Sequence, residues 1–373
     1  MINVLHLRDT DRVCGPGKTI IETACAADRA AFHLSVGLFR PPGGANAYLD
    51  AVRARGIEVH PIEAAHAWDP RLLGRLVSLI RERNIHIVHA HDYLTDILTR
   101  AVSWRVPVAT MSTVHGWITN TTRSRMYVKV SQLALRGLDR VVAVSEQTRV
   151  RVLAAGIPAD RVTVIHNAIV AQNYQPANFE RGAFRRQADI SPEAVVIGNI
   201  GRLSPEKGQR EFLQAAAPLA RQDARLHLVL AGSGPDEASL KSLTAELGLD
   251  GRVTFTGHLH DVRPVYRDLD ILALTSFTEG FPNVILEAFC MDVPVLASDV
   301  GGVREIITNG ETGVLVRAGC TDEIAAGLRH LVTERTDGKR LAAAGKQRVM
   351  DRFQFAQRTV KEEAVYRELM DGR

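Results

Sequence analysis

The sequence predicts an α/β protein of two domains, each with a parallel β-sheet covered by helices. Its 373 residues exceed what one hydrophobic core commonly holds. Short β-branched segments alternate with segments of helical periodicity along the chain, which is typical of βαβ units. Several of these segments are continuously apolar, as in strands covered on both faces. We therefore expect two Rossmann-like domains, with ligands bound at the carboxyl ends of the strands.

Apolar, β-branched composition predicts six strands in each half of the chain. In the first half they are Ile2–Leu7, His33–Leu38, Ile85–His89, Val106–Met111, Val141–Val144 and Val162–Ile165. In the second half they are Val195–Ile200, Leu226–Ala231, Val253–Thr256, Ile271–Thr275, Val293–Ala297 and Gly313–Val316.

A stretch with a proline and no strand pattern, Asn173–Ala188, marks the joint between the domains. It predicts an N-terminal domain over residues 1–172 and a C-terminal domain over residues 173–352. The remaining residues, 353–373, include Phe353–Leu369, which has the spacing of an amphipathic helix. Capping the second domain is the simplest role for this helix.

Composition is that of an ordinary globular protein, with 46% hydrophobic and 24% charged residues. No apolar run approaches the roughly 20 residues that span a bilayer. The start, MINVLHLRDTDR, is typical of a first strand and not of a signal peptide. The four cysteines have neither CxxC nor zinc-ligand spacing. These features predict a cytoplasmic protein.

Charge is unevenly distributed along the chain. Residues 1–170 carry 21 Lys and Arg against 14 Asp and Glu, whereas the remainder carries 25 against 28. One interpretation is that the basic half contacts an anionic partner, such as the inner face of a membrane or a lipid-linked acceptor, and Thr122–Lys129 suits that role. The other is that the charges are spread over solvated helix faces. We expect no nucleic-acid partner.

The strongest chemical signal is the segment Ser276–Ile307, directly after a predicted strand. Its loop Glu279–Asn283 leads into a helix from about Val284. A helix N-terminus after such a loop presents unpaired N–H groups that suit a diphosphate. Glu287, early in the helix, suits the 2′- and 3′-hydroxyls of a ribose.

Glu279 and Glu287, separated by seven residues within EGFPNVILEA and followed by PVLASDVGGVREII, resemble the E-x7-E signature of the retaining glycosyltransferase family 4. The alternative is a pair of surface acids on a helix. The resemblance implies a GT-B fold, in which two Rossmann-like domains face each other across a cleft and the last helix packs back on the first domain. It also implies retaining transfer of a sugar from a nucleotide-diphosphate-sugar donor. The acceptor would be a glycan or a lipid-linked molecule, in polysaccharide or glycolipid biosynthesis.

A second element, GNIGRLSPEKG at Gly198–Gly208, is similar to the family's G-R-x-x-x-E-K-G motif. By resemblance, Arg202 and Lys207 hold the donor diphosphate. A guanidinium fork and a flexible ammonium at a strand end suit two adjacent phosphates. A solvated βα loop is the alternative.

In the first domain, Gly15 and Gly17 of CGPGKT lie between the first strand and the first helix. Glycines there allow close approach of the backbone to a ligand, although a tight turn explains them equally. A P-loop is excluded because Arg12 stands where that motif needs glycine.

Histidines follow two predicted strands of the first domain. His115 comes after Val106–Met111 and, by resemblance, contacts the transferring sugar. His89 and His91 form an H-x-H pair, but no third ligand follows at a spacing that would indicate metal binding. The alternative for these two is a pair of hydrogen-bonded histidines in a βα turn.

The resemblance also implies weaker assignments. Gly234, His258 and Leu259 would lie at the nucleotide-base end of the donor site, and Ser145 and Arg123 on the acceptor side. Ser145 is equally explained as the N-cap of the following helix. The predicted catalytic residues are His115, Glu279, Arg202 and Lys207. The predicted donor-binding residues are Gly15, Gly17, Arg202, Lys207, Gly234, His258, Leu259, Glu279, Gly280, Phe281, Pro282, Asn283, Val284 and Glu287.

We expect neither a cofactor nor a metal, because Arg202, Lys207 and backbone amides can stabilise the leaving diphosphate. Glu279 is expected to bind hydroxyls of the donor sugar and not to act as a covalent nucleophile. Two rivals are a nucleotide-sugar epimerase of the same fold and a non-catalytic nucleotide-sugar-binding subunit. An NAD-dependent oxidoreductase is disfavoured because neither half has G-x-G-x-x-G after a strand.

Overall fold

The computed structural model describes residues 1–11, 13–40, 46–64, 66, 69–117 and 122–372, apart from the side chains of Arg40 and Arg123. The chain divides into two compact units. Unit 1 comprises Met1–Ala168 together with Phe355–Arg373, and unit 2 comprises Ile169–Gln354.

The sheet of unit 1 has seven parallel strands in the order β3-β2-β1-β4-β5-β6-β7 within the described residues. They are β1 (Ile2–Arg8), β2 (Phe32–Arg40), β3 (Glu58–Glu63), β4 (Ile87–Ala90), β5 (Ala109–Val114), β6 (Arg140–Ala143) and β7 (Val162–Val164). The helices that alternate with them are α1 (Gly15–Ala26), α2 (Ala47–Ala54), α3 (Arg71–Glu82), α4 (Tyr93–Ser103), α5 (Thr122–Leu135) and α6 (Glu146–Ala154).

The sheet of unit 2 has six parallel strands in the order β10-β9-β8-β11-β12-β13. They are β8 (Val195–Ile200), β9 (Leu226–Ala231), β10 (Val253–Gly257), β11 (Ile271–Leu274), β12 (Val295–Ser298) and β13 (Val314–Val316). Its helices are α7 (Ala183–Gln187), α8 (Gln209–Gln222), α9 (Glu237–Glu246), α10 (Arg263–Asp268), α11 (Asn283–Cys290), α12 (Val303–Ile306), α13 (Thr321–Thr333) and α14 (Arg335–Arg352). The predicted α/β class with two parallel sheets is confirmed.

The last helix, α15 (Phe355–Asp371), belongs to unit 1 although it follows unit 2 in sequence. Val365, Tyr366 and Leu369 pack in the same buried cluster as residues of β1, β2 and α1. At about 25 cal/mol per Å² of buried apolar surface, side chains of this size contribute about 1.5–3 kcal/mol each. The helix is therefore part of the core of unit 1.

In the first half, one strand was missed and one was predicted about three residues too early. Strand β3 was missed because its sequence, EVHPIE, contains Pro61 and charged ends, which argue against a strand; it lies at the sheet edge, where proline is tolerated. The strand predicted at Val106–Met111 begins instead at Ala109 and runs to Val114. Pro107 lacks an N–H for the ladder, and the polar residues after Met111 are buried in the sheet.

Strand order reverses between β1 and β4 in unit 1 and between β8 and β11 in unit 2. In open parallel sheets, ligands bind beyond the carboxyl ends of the strands at such a switch point. The loops after β8 and β11 and the residues after β1 and β4 are therefore the places to look for function. Within the described residues, no helix has the length and apolar character needed to cross a membrane.

Candidate functional site

The loop after β8 carries the predicted pair Arg202 and Lys207 to the switch point of unit 2. Gly208 ends this loop with a φ of 64°, and a Cβ there would lie 2.1 Å from the carbonyl oxygen of Thr275. The Thr275 hydroxyl in turn donates to the Gly208 carbonyl at 2.7 Å. Only glycine lets the loop approach the end of β11 so closely. The Arg202 side chain is exposed and has no polar partner in the described part of the chain.

Glu279 and Lys207, assigned to one site from sequence, are in direct contact. Lys207 Nζ lies 2.7 Å from Glu279 Oε1, and the Ser276 hydroxyl donates to the same oxygen at 2.6 Å. Gly301, with a φ of 58°, packs against the Glu279 backbone, where a Cβ would lie 1.9 Å from the carbonyl oxygen. An ammonium has three N–H donors and a carboxylate about four acceptor positions. Each partner therefore retains capacity for a ligand.

The residues between Glu279 and the helix lie as the sequence predicts. Helix α11 begins at Asn283, one residue before the predicted start, and Pro282 is its N-cap. Phe281 is buried, with its ring centroid 5.2 Å from that of Phe353. Gly280 accepts a backbone hydrogen bond through its carbonyl oxygen, and Val284 is half-buried. The Asn283 side-chain oxygen is buried and has no partner among the described residues.

Glu287 is buried in unit 2 between two tyrosines. Tyr174 Oη donates to Glu287 Oε1 at 2.8 Å, and Tyr266 Oη donates to Glu287 Oε2 at 2.9 Å. Burial and the neighbouring Glu287 carboxylate raise the pKa of both tyrosine hydroxyls well above its usual value. Both phenols therefore remain protonated donors and hold the carboxylate in one orientation. Sequence reasoning missed these tyrosines because they lie 113 and 21 residues from Glu287.

The residues predicted at the nucleotide-base end lie further along the same sheet edge. A Cβ on Gly234 would lie 2.1 Å from the Leu203 carbonyl oxygen, so this glycine fits the turn after β9 against the loop after β8. His258 is exposed and Leu259 half-buried after β10, the edge strand.

Gly15 and Gly17 do not form the predicted loop between β1 and α1. They lie in the first turn of α1, which starts at Gly15 because Pro16 has a φ suited to that position. A Cβ on Gly17 would lie 2.8 Å from the Tyr48 ring, whose hydroxyl donates to the Gly17 carbonyl at 3.2 Å. Packing against Tyr48 explains this glycine.

His115 follows β5, as predicted, and joins a cluster of four histidines in unit 1. His6 on β1, His89 on β4 and His91 just after β4 are buried, while His115 is half-buried. His6 Nδ1 lies 2.9 Å from His91 Nε2, and His91 Nδ1 lies 3.4 Å from His115 Nε2. His89 Nε2 lies 2.8 Å from the Thr113 hydroxyl.

Helix α15 closes the other end of the histidine cluster. Tyr366 Oη lies 2.8 Å from His89 Nδ1 and 3.4 Å from His6 Nε2, and it donates to Glu362 Oε1 at 2.7 Å. Arg358 Nη1 lies 2.5 Å from Glu362 Oε2. No sequence spacing could have indicated these contacts, since Tyr366 and His6 are 360 residues apart.

Burial keeps the histidines of this cluster neutral. It lowers the pKa of His6 to about 4 and of His115 to about 3. It also lowers the pKa of His89 and of His91 well below the usual value. Burial alone would raise the pKa of Glu362, but Arg358, His89, His6 and the hydrogen bond from Tyr366 together outweigh burial and lower that pKa to about 2. The cluster therefore contains one carboxylate and four neutral imidazoles near pH 7.

The structure supplies the third histidine that the sequence pattern lacked. Nitrogen atoms of His6, His89 and His91 lie within 4.8 Å of one another, a spacing that a metal ion could bridge. Every ring nitrogen of these three histidines also has a hydrogen-bond partner within the cluster. Hydrogen-bonded histidines, the alternative left open for His89 and His91, are what the structure shows.

The two acceptor-side assignments have different outcomes. Ser145 is the buried N-cap of α6: its hydroxyl accepts from the Thr148 N–H at 3.0 Å and donates to the Thr148 hydroxyl at 2.8 Å. The structure thus gives the capping role left open from sequence. Arg123 belongs to α5, but its side chain lies outside the described residues.

Two doubly wound parallel units, with a lysine–carboxylate pair at the switch point of one, are typical of α/β enzymes that bind a phosphorylated ligand there. Comparison with known proteins identifies the family. Residues 13–173 match Glycosyltransferase Family 4, and residues 180–348 match Glycosyl transferases group 1. The chain belongs to this glycosyltransferase family, as its motifs predicted.

Individual relatives agree with the family assignment. The chain is 35% identical over 213 residues to a D-inositol 3-phosphate glycosyltransferase of Nocardia farcinica (strain IFM 10152), a match that spans 54% of this chain and about half, 47%, of that protein. It is 30% identical over 256 residues to a lipopolysaccharide core biosynthesis mannosyltransferase of Rhizobium meliloti (strain 1021), covering 66% and 70% of the two chains.

Solved structures support the fold class. The structure of HepE from Anabaena in complex with UDP and glucose superposes with a TM-score of 0.87 and 22% identity, covering 99% of this chain and 100% of that one. The GT-B fold implied by the sequence is thereby confirmed.

Proposed function

We propose that this chain transfers a sugar, with retention of anomeric configuration, from a nucleotide-diphosphate-sugar to a glycan or lipid-linked acceptor. The observation that carries the proposal is the contact between Lys207 and Glu279 at the switch point of unit 2, beside the exposed Arg202. The two cations, Arg202 and Lys207, suit a diphosphate, and the adjacent Glu279 carboxylate suits sugar hydroxyls. The Rhizobium meliloti relative is a mannosyltransferase of lipopolysaccharide core biosynthesis. This supports a role in glycolipid or polysaccharide synthesis.

In this proposal, Arg202 and Lys207 bind the two phosphates. When the glycosidic bond breaks, negative charge grows on the departing nucleoside diphosphate, and fixed cations and helix-terminal N–H groups stabilise it. Glu279 orients the sugar through its remaining acceptor positions. Glu287, held by Tyr174 and Tyr266, accepts hydrogen bonds from the ribose hydroxyls. His115 is proposed to contact the transferring sugar, as the family resemblance implies.

A donor screen tests the proposed function and its rivals. UDP-, GDP- and ADP-sugars are compared by thermal shift, and those that bind are incubated with candidate acceptors. Binding followed by acceptor-dependent release of the nucleoside diphosphate supports the transferase. A free epimer formed without acceptor supports an epimerase, and binding without turnover supports a non-catalytic subunit. Either of the last two results contradicts our proposal.

We further expect turnover without a divalent metal. Arg202, Lys207 and the N-terminus of α11 provide the positive charge that a metal supplies in other phosphate sites. The measurement is transferase activity after extensive dialysis against a chelator, with re-addition of magnesium or manganese. Activity that is lost and then restored by metal would contradict the prediction and direct attention to His6, His89 and His91.

We also propose reversible contact with an anionic membrane through one face of α5. Arg125, Met126, Lys129, Val130 and Leu133 are all exposed, and their spacing of three and four residues places them on one side of the helix. Basic and apolar residues on one face are typical of helices that lie in the membrane interface. Co-sedimentation with vesicles containing anionic lipid should detect the contact.

Removing the two cations of this face tests the membrane contact. Each basic residue near an anionic surface contributes about 1 kcal/mol, so Arg125→Gln with Lys129→Gln should weaken vesicle binding about ten- to thirty-fold. The matched control is Arg149→Gln on α6. Equal binding to neutral and anionic vesicles, or an equal loss in the control, would rule out this surface.

A further inference from the structure

A line of hydrogen bonds leads from the Glu362 carboxylate to His115 through two other histidines. Along this line lie Tyr366, His6 and His91, in that order. A carboxylate can only accept hydrogen bonds, and a neutral imidazole has one donor and one acceptor nitrogen. The direction of every bond in the line therefore follows from its first member.

The directions can be assigned one bond at a time. Tyr366 uses its only proton to donate to Glu362, so its oxygen can only accept from the histidines. His6 Nε2 must then carry the proton that faces Tyr366, which leaves His6 Nδ1 as an acceptor. His91 Nε2 donates to that atom, and His91 Nδ1 becomes an acceptor in turn.

The last bond of the line determines which ring nitrogen of His115 carries the proton. Its Nε2 faces the bare Nδ1 of His91 at 3.4 Å and must carry the proton. Its Nδ1 therefore has an unprotonated lone pair. That nitrogen is buried and has no hydrogen-bond partner in the described part of the chain. An unsatisfied buried polar atom at the end of an ordered network is available to a ligand.

The side branch through His89 agrees with this assignment. Tyr366 Oη accepts from His89 Nδ1 at 2.8 Å, so His89 Nε2 is an acceptor and receives the Thr113 hydroxyl proton at 2.8 Å. All bonds in the cluster are thus satisfied by one set of tautomers. The opposite direction would set two acceptors, His6 Nε2 and Tyr366 Oη, against each other, or would leave Glu362 without its proton donor.

We propose that Glu362 and Tyr366 of α15 are positioning residues that hold His115 as the Nε2–H tautomer, so that its Nδ1 accepts a hydrogen bond from a hydroxyl of the transferring sugar. The hydroxyl part of this inference rests on the proposed function, whereas the tautomer part does not. The lowered pKa values of the four histidines support it, because only neutral rings have tautomers.

Nitrogen NMR of histidine side chains tests the tautomer directly, because protonated and bare ring nitrogens resonate far apart. The His115 signals are assigned by their loss in His115→Asn. In the unmodified chain the proton should be on Nε2. In Glu362→Gln and in Tyr366→Phe the direction is no longer imposed, and the Nδ1–H form should appear.

The matched control is Glu363→Gln. Glu363 lies on the same helix and is also buried, but it accepts from the Asp28 N–H at 2.8 Å and not from the tyrosine. The Glu363→Gln substitution should leave the His115 tautomer and the activity unchanged. A wild-type proton on Nδ1, or an unchanged tautomer in both test variants, overturns the proposal.

Kinetics then tests the link to the sugar. Losing one hydrogen bond in the transition state should lower kcat about ten-fold in Glu362→Gln. Asn at position 115 offers an acceptor oxygen near the Nδ1 position and has no tautomers, so Glu362→Gln should have no further effect in the His115→Asn background. Equal losses in both backgrounds would show a merely structural role. If no donor is turned over, the proposed function fails, but NMR still decides the tautomer.

Discussion

Replacing Glu287 with Ala is expected to weaken binding of the nucleotide-sugar and of its nucleoside diphosphate product alike. Both ligands carry the ribose whose hydroxyls Glu287 is proposed to bind, and each charge-assisted hydrogen bond contributes about 1.5–3 kcal/mol. The loss should be about 10- to 1,000-fold in affinity, at 1.4 kcal/mol per ten-fold change. Calorimetry with the nucleoside diphosphate measures it without turnover.

The structure adds a second consequence of this substitution. Glu287→Ala leaves the buried Tyr174 hydroxyl without its acceptor, at about 1–3 kcal/mol of unfolding free energy, and leaves the Tyr266 hydroxyl only the Val284 carbonyl oxygen at 3.4 Å. Glu287→Gln retains an acceptor oxygen and separates the two effects. Stability near wild type with reduced affinity would support ribose binding. Normal affinity in a folded Gln variant would mean that Glu287 only bridges the tyrosines.

Glu279 provides the contrast within the same site. Because it is proposed to contact only the sugar, Glu279→Gln should lower kcat strongly and leave nucleoside diphosphate affinity nearly unchanged. The variant also loses its charge beside Lys207, which stays available to the phosphates. If Glu279→Gln loses product binding as severely as Glu287→Ala, or if neither variant affects turnover, the assignment of the two carboxylates is wrong.

Unit 1 is expected to lose stability steeply as the pH falls from 6.5 to 4. In that interval the unfolded chain protonates its histidines, whereas burial keeps those of the cluster neutral, with the pKa of His6 at about 4 and of His115 at about 3. The unfolded state therefore binds more protons, and acid favours it. Each histidine contributes up to about 1.4 kcal/mol per pH unit.

One buried carboxyl acts in the opposite direction. Asp96 accepts from the hydroxyls of Ser112 at 2.5 Å and Ser131 at 2.6 Å, yet burial raises its pKa to about 7. Between about pH 4 and 7 the folded chain holds a proton that the unfolded chain has lost. For the four histidines and Asp96 taken together, the net uptake on unfolding near pH 5.5 is therefore about three protons, or roughly 4 kcal/mol per pH unit.

Denaturant unfolding of unit 1 at several pH values measures how the free energy of unfolding changes with pH. His89→Gln should reduce the proton uptake on unfolding by about one proton. Asp96→Asn should increase that uptake by about one proton, because the opposing carboxyl is removed. His258→Gln, which changes an exposed histidine of unit 2, is the control. A stability that is flat between pH 6.5 and 4 would contradict the buried, neutral state of the cluster.

The sequence was informative where function depends on short segments. All six strands of unit 2 lie within about two residues of their predicted bounds, because each is a short segment rich in apolar or β-branched residues and closed by a turn. Lys207 and Glu279 were assigned to one donor site because each follows a strand of the second half, but their direct contact was not predicted. Strand β3 could not be predicted in this way, since Pro61 breaks the usual strand pattern at an edge where the sheet tolerates it.

Contacts between distant segments could not be predicted. Nothing near His6 or Glu362 in the sequence indicates that they belong to one hydrogen-bonded cluster, because each is surrounded by an ordinary strand or helix pattern. The same holds for Tyr174 and Tyr266 around Glu287. Only tertiary packing brings these groups together, and it acts on pairs of residues that no local spacing rule connects.

The place of α15 in the core of unit 1 has a consequence for biosynthesis. Unit 2 occupies one uninterrupted stretch, Ile169–Gln354, and all of it is translated before α15. The core of unit 1 is complete only after Tyr366 and its neighbours in α15 have been translated. The segment made first is thus finished last, and a ribosome that stalls before α15 releases a chain whose second unit is complete and whose first is not.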